Sequence, residues 1–345
     1  MSRVVEHLAE LTGFRDRSTL DLLLVGALKD LLNPDSVTIH RCVGETGKQR
    51  WMLRARLAQG DLIAQSDPVW VEIDSLPELA AFPERLHCLE TRTTTALAGP
   101  PALTRFPLAT DNELSGVLQI ETAQPLSAED LWLVNGILRI YRNFEGLLDY
   151  SERDTLTALL NRKTFDESFL RLNSAPTGPH PDAPPDADGR RRLQAEAGLW
   201  LGVIDIDHFK RVNDGYGHLI GDEVLLLLSR LMRSSFRFQD QLYRYGGEEF
   251  VVLVRCAQAA DAAVAFERLR AKVESFAFPQ IGHITVSAGY TALRPNDTPA
   301  TAFDRADKAV YYAKQNGRNQ VRYHADLVAQ GLLTDESRDS DVELF

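Results

Sequence analysis

The segment "LWLGVIDID" (199–207) sets the tightest limit on what this chain can build. From Leu199 to Ile206 it is apolar at odd and even positions alike, so as a strand it belongs in the middle of a sheet covered on both faces. It delivers two carboxylates, Asp205 and Asp207, at its end. A buried strand-end carboxylate needs a physical reason, because an uncompensated charge away from water is costly.

A second stretch, "DQLYRYGGEEFVVLV" (240–254), sets two glycines and two adjacent carboxylates between runs of β-formers. Residues 242–245 and 250–254 read as strands. Gly246-Gly247 reads as the closure of a hairpin, since glycine accepts the positive φ of a tight turn, and Glu248 and Glu249 then stand at the tip. Taken alone, the stretch is equally compatible with a solvated turn. Between the two stretches lies "HFKRVNDGYGHLIGDEVLLLLSRLM", in which Phe209, Val212 and the Leu-rich segment read as helices and "DGYGHLIGDE" turns between them. Two other sites are excluded by spacing. Counted from Asp205, a calcium loop would have Phe209 at its fifth position and Tyr216 at its twelfth, and "GETGK" (44–48) lacks the four residues a P-loop places before Gly-Lys.

With 345 residues the chain is comfortable as two domains, and 44% hydrophobic and 25% charged residues are ordinary for a soluble protein. Its longest apolar runs, "LDLLLVGAL" and "VLLLLSRLM", stop well short of the ~20 residues that span a bilayer, and no signal peptide is visible. The expectation is a cytoplasmic protein with no membrane partner. Cys42, Cys88 and Cys256 lack zinc-type spacing and read as reduced structural thiols. A net charge of −11 argues against a nucleic acid polymer as partner, whereas single nucleotides held by a few placed groups stay open.

The expected organisation is a sensor-type domain over 1–126, a signalling helix over 127–153, a catalytic-type domain over 154–325 and an acidic tail over 326–345. The first domain combines helical pattern (Val4–Leu11, Leu20–Leu32) with the strand-like runs "SVTIHRC", "QRWMLRARL", "DPVWVEI", "TRFPLAT" and "LSGVLQIET". Ser127 is a candidate N-cap of the signalling helix. Within that helix Leu133, Ile137, Ile140, Phe144 and Leu147 step by 4, 3, 4, 3, a seam suited to a parallel coiled coil, and Leu131, Val134, Leu138 and Tyr141 form a second stripe suited to packing on the first domain. "SAPTGPHPDAPPDADGRRR" (174–192) is rich in Pro, Asp and Gly and reads as a flexible insertion.

Five ordered segments, "DTLTALLNR", "DIDHFKRVNDGYGHLIGDEVL", "RYGGEEF", "ITVSAGY" and "ADKAVYYAKQNGRN", resemble the GGDEF domain of diguanylate cyclases over about residues 151–325. The resemblance implies a mixed α/β (α+β) palm like that of nucleotidyl cyclases, with the Asp205 strand beside the "GGEEF" hairpin. It implies an enzyme that condenses two GTP into cyclic di-GMP, with two Mg²⁺ or Mn²⁺ ions per active site held by Asp205, the Ile206 carbonyl and Glu248. Hard cations favour such oxygen ligands. By the same resemblance Asn213 and Asp222 hydrogen-bond guanine, Phe209, Lys210, Lys314 and Arg318 hold phosphates, Glu248 and Lys210 serve catalysis, and Asp207 and Glu249 support the fold. Each 3′-hydroxyl must attack the other nucleotide's α-phosphate, so the resemblance implies a two-fold homodimer, brought together here by the 127–153 helix. Arg237 and Asp240 fall where the family's inhibitory RxxD site lies, with Arg268 as a candidate partner arginine. The first domain resembles a GAF sensor in element order. Cys42, Cys88, His87, Trp51 and Trp70 are candidate lining residues for an unknown ligand, although core packing explains such residues equally well. A non-catalytic cyclic di-GMP or GTP receptor is the alternative.

Overall fold

The computed structural model describes residues 2–13, 17–44, 47–67, 71, 73–109, 114–174 and 198–335. They form two compact units, Met1–Ser151 and Glu152–Phe345. No helix among the described residues is long and apolar enough to cross a membrane.

The first unit runs α1 (Ser2–Gly13), α2 (Arg17–Leu32), β1 (Ser36–Val43), β2 (Arg50–Ala58), α3 (Pro83–Thr91), β3 (Thr95–Leu97), β4 (Ala102–Ala109), β5 (Leu114–Thr122) and α4 (Ala128–Glu152). Its five strands pair antiparallel in the order β2-β1-β5-β4-β3. Alternation along each strand separates two faces. Val37, Ile39, Phe106, Leu118 and Ile120 pack with Leu20, Leu24 and Leu28 of α2 and with Val134, Leu138 and Tyr141 of α4. On the other face Trp51 and Val117 pack with Cys88 and Leu89 of α3. The expected strand "DPVWVEI" is not one at its end, where Ile73–Ser75 form a turn of 3-10 helix. Trp70 lies outside the described residues. Helix α3 and strand β3 carry too weak a periodicity to be read from sequence.

Ser127 caps α4 as expected: its Oγ accepts from the Asp130 N–H at 3.1 Å, and the Asp130 carboxylate accepts the Ser127 N–H at 3.1 Å. The seam expected for a partner helix is largely used at home. Ile137 is buried in the unit's own core and Leu133 and Phe144 pack against it, whereas Leu147 is 65% exposed. The 4-3 seam and the neighbouring stripe fall within one apolar sector of the helix, and the domain core takes most of that sector. An ionic cluster also holds α4. Arg41 of β1 donates to Asp21 of α2 at 2.9 Å and to Glu145 of α4 at 2.6 Å, and the Tyr141 hydroxyl bonds both Arg41 and Asp21.

The second unit runs β6 (Leu160–Asn161), α5 (Arg162–Ser174), β7 (Gly198–Ile206), α6 (Phe209–Tyr216), α7 (His218–Arg233), β8 (Gln241–Gly246), β9 (Glu249–Cys256), α8 (Ala259–Ser275), β10 (Val286–Ala292), α9 (Pro299–Gln315), β11 (Val321–Tyr323) and α10 (His324–Ala329). The sheet order is β11-β10-β7-β9-β8-β6. Strand β7 is central and covered on both faces, as its apolar run demands. Ile204, Ile206, Phe250 and Val252 pack with α7 and α8, while Leu201, Val203, Val251 and Leu253 pack with α5 and α9. The break between α6 and α7 is shorter than "DGYGHLIGDE" suggests: Gly217 alone, at φ +84°, ends one helix and begins the next. Residues 175–192 of the expected insertion lie outside the described residues, as does the tail beyond Asp335. The expected start of that tail is instead helix α10, with Leu327 buried.

Candidate active site

The register of β7 on β9 sets Asp205 opposite Glu249, with Glu248 in the two-residue turn (Gly247–Glu248) that joins β8 to β9. Neither Gly246 nor Gly247 takes the left-handed φ expected of them. A Cβ on Gly247 would meet nothing within 4 Å, so the tip backbone is open to a ligand, while a Cβ on Gly246 would lie 3.1 Å from Glu249 Oε2. The tip is fixed from behind by Arg244, a residue the sequence reading passed over. Its Nε and Nη2 donate to the Gly247 carbonyl at 3.2 and 3.0 Å, and its Nη1 donates to Asp154 Oδ1 at 3.1 Å. Burial works to raise the Asp154 carboxyl, yet hydrogen bonds from Thr157 and Arg244 hold it below the usual range.

Asp205 is 6% exposed, and the Lys314 ammonium of α9 sits 2.6 Å from its Oδ1. Burial pushes the Asp205 carboxyl above the usual range against the pull of Lys314. Glu248 and Glu249 are pushed up as well, first by burial and then by the charge of Asp205. Asp307 of α9, not singled out from sequence, is raised by burial and Asp304, and its charge acts in turn on Asp205 and Glu249. Asp205 thus raises both glutamates and is itself raised by Asp307, and a cluster of this kind favours added positive charge.

Asp207, next to this cluster, is consumed by the fold. It accepts from Thr285 Oγ1 at 2.6 Å, Ser287 Oγ at 2.7 Å and the Asn319 N–H at 3.0 Å. The last bond anchors a turn in which Gly317, Arg318 and Asn319 all take positive φ (106°, 60° and 47°), and the exposed Arg318 stands in its middle. Phe209 is 5% exposed and packs in the core, so its backbone at the start of α6 is the part available to a phosphate. Lys210 is exposed beside it. Asn213 of α6 and the exposed Asp222 of α7 come from packed neighbouring helices. A Cβ on Gly221 would lie 2.0 Å from Asn213 Oδ1, so the glycine clears the position that the amide occupies.

Arg237, Asp240 and Arg268 gather away from the hairpin tip. The Arg237 N–H donates to Asp240 Oδ2 at 2.7 Å, and Arg268 donates to the Ser235 carbonyl at 2.7 Å. Burial pushes Asp240 up to about 6, with Arg237 and Arg268 pulling against it. In the first unit Trp51 and Cys88 are core residues, Cys42 packs against them and His87 is exposed, so these residues do not form one polar site.

Among the described residues no three His, Cys, Asp or Glu side chains are set to hold a metal by themselves. The donor set that is present still fits a hard divalent cation. It consists of the Asp205 and Glu248 carboxylates with the Ile206 carbonyl, and the buried Asp205 Oδ1 has the Lys314 ammonium, at 2.6 Å, as its cationic neighbour. Magnesium-type sites commonly take one or two carboxylates and complete their shell with water and substrate phosphate.

Residues 190–320 match the family model described as the diguanylate cyclase GGDEF domain. The second unit is thus similar to a GGDEF domain. Diguanylate cyclase DgcZ of Escherichia coli is 38% identical over 176 residues, covering 50% of this chain and 53% of that protein. Diguanylate cyclase DgcP of Pseudomonas aeruginosa is 35% identical over 238 residues, covering 64% of this chain and 33% of that protein. The chain therefore spans about a third to a half of these curated relatives. The crystal structure of the GGDEF domain of DgcB from Caulobacter crescentus in complex with c-di-GMP is 30% identical, covering 50% of this chain and 96% of that one, with a TM-score of 0.42.

Proposed function

We propose that this protein is a diguanylate cyclase that joins two GTP into cyclic di-GMP and releases two pyrophosphates. The observation that carries the reading is the meeting of Asp205, Glu248 and Lys314 beside the open glycine turn. Divalent cations, Mg²⁺ or Mn²⁺ and two per site, would be held by Asp205, the Ile206 carbonyl and Glu248, and when bound would neutralise the triphosphate and acidify the attacking 3′-hydroxyl. The chain's own groups do the rest. The amide of Asn213 and the carboxylate of Asp222 suit the guanine edge, where N1–H and the 2-amine donate to an aspartate. Lys210, Lys314, Arg318 and the backbone at Phe209 would hold phosphate oxygens, with the two ammonium groups as point charges and the guanidinium as a fork. Arg244 positions the hairpin without touching the substrate.

Since each site holds one nucleotide, the reaction needs two sites face to face in a homodimer. The exposed side of α4, with Trp132, Leu147 and Tyr150, supports an association through that helix. The first unit would act as the regulatory sensor, and the Arg237, Asp240 and Arg268 cluster as a product feedback site. Glu248→Gln tests the reading. It should lower turnover by about a hundredfold or more through loss of charge at the reacting phosphate, and leave the melting temperature unchanged or higher, because it removes one of the mutually repelling carboxylates. Retained turnover in a folded Glu248→Gln protein would refute the assignment.

A further inference from the structure

On the α3 side of the first unit's sheet, two neighbouring arginines, Arg85 and Arg105, form no ion pair among the described residues. Arg105 of β4 is paired in register with Gln119 of β5 and Thr95 of β3. Gln119 stands two residues from Val117, whose partner on β1 is His40. Residues paired across antiparallel strands share a face, as do residues two apart along a strand. His40, Val117, Gln119 and Arg105 therefore share one face, and Val117 identifies it as the face covered by Cys88 and Leu89 of α3. Arg85, three residues before Cys88 on the same helix, reaches this face with its guanidinium 4.0 Å from the Phe82 ring centroid.

The charges there are unbalanced. Arg105 is 7% exposed, and its Nε meets only a neutral acceptor, Gln119 Oε1 at 3.3 Å. Neither Arg85 nor Arg105 has an ion pair among the described residues. Burial and the charge of Arg105 push the Arg85 guanidinium down to about 10, against the weaker pull of Glu84 beside it on α3. Burial and Arg85 push His40 down to about 3, so the ring is neutral, and its Nδ1 is buried with no hydrogen-bond partner among the described residues. Two desolvated like charges beside an unpartnered ring nitrogen are costly when left alone, and the cost disappears when a negative group sits between them.

We propose that this face of the first unit binds a small anion, whose carboxylate or phosphate oxygens are held by Arg85 and Arg105 with the neutral His40 ring as a hydrogen-bonding neighbour. Guanidinium forks match both oxyanions bidentately. The inference deepens the regulatory role proposed above for the first unit but reads binding without GTP, so it and the cyclase reading fail separately.

The test is isothermal titration of the full-length protein with sodium phosphate and, separately, sodium succinate, at matched ionic strength in chloride. At least one of them should bind saturably, with Arg105→Gln and Arg85→Gln each weakening that binding tenfold or more. Phosphate alone binding would mark a phosphorylated ligand, and succinate alone a carboxylate. A second readout needs no ligand. Arg85→Gln relieves the repulsion, so the anion-free variant should melt at the same temperature as the wild type or higher, whereas an arginine that only supports packing would lower it. Absence of saturable binding by both anions, binding that survives both substitutions, or a lowered melting temperature of Arg85→Gln would overturn the proposal.

Discussion

Asp205 and Asp240 are both half or more buried carboxylates held above their usual range, and their surroundings separate their roles. Asp205 is raised amid Glu248, Glu249 and Asp307, where added cationic charge is favoured. Asp240 is raised to about 6 amid Arg237 and Arg268, chiefly by burial. Its folded value lies above its unfolded one, so its ionised form weakens the fold above pH about 6, and that penalty fades as pH falls toward the unfolded value near 4. Asp240→Asn should therefore melt higher than the wild type at pH 8, with the difference shrinking to nothing by pH about 4. A pH-independent difference in differential scanning fluorimetry would contradict this. At this scale the sequence was informative where a residue's task is set by its own segment: Asp205 ends an apolar strand and Glu248 sits in a turn. Arg244 and Asp307 were missed because their tasks arise only when the hairpin meets Asp154 and when α9 meets the end of β7.

The pair α6 and α7 shows how one glycine can serve a site rather than a helix. Gly221→Ala should not weaken the fold, since alanine is the better helix former by up to about 1 kcal/mol and the nearest atom is the mobile end of Asn213. It should displace the Asn213 amide and raise KM for GTP on the order of tenfold through the lost guanine bond. An unchanged KM would separate Asn213 from the guanine. Helix α4 is governed by its buried charges. Arg41→Met leaves the buried Glu145 without its cation and Asp21 with Arg54 alone, at 3.6 Å, and should destabilise the first unit by about 3–5 kcal/mol in urea denaturation, and a cost below about 1 kcal/mol would contradict the assigned role. The cap and extent of α4 were legible, because capping is local. Which side of it faces the core was not, since Leu133, Ile137 and Phe144 fit a partner helix and the domain core equally well by spacing. Helix α3 was invisible for a related reason: only Cys88 and Leu89 of it are buried, too few to impose a period.

For the whole molecule, the proposed binding of one GTP per catalytic unit and a product built from two imply turnover that depends on association. The specific rate should rise with protein concentration and level off once the dimer is saturated. A rate per chain that is constant down to nanomolar protein would argue against the facing-site arrangement. The division between the two units, at Ser151 and Glu152, falls within the expected 127–153 helix, whereas the function of the first unit rests on chemistry that strand pattern does not encode, such as Arg85 and Arg105. The most direct measurement of the central claim is nucleotide chromatography after the purified full-length protein is incubated with GTP and Mg²⁺, with bound nucleotide stripped beforehand. The account predicts cyclic di-GMP and two pyrophosphates per product, with none formed from ATP. GTP recovered intact under saturating metal and protein would contradict it.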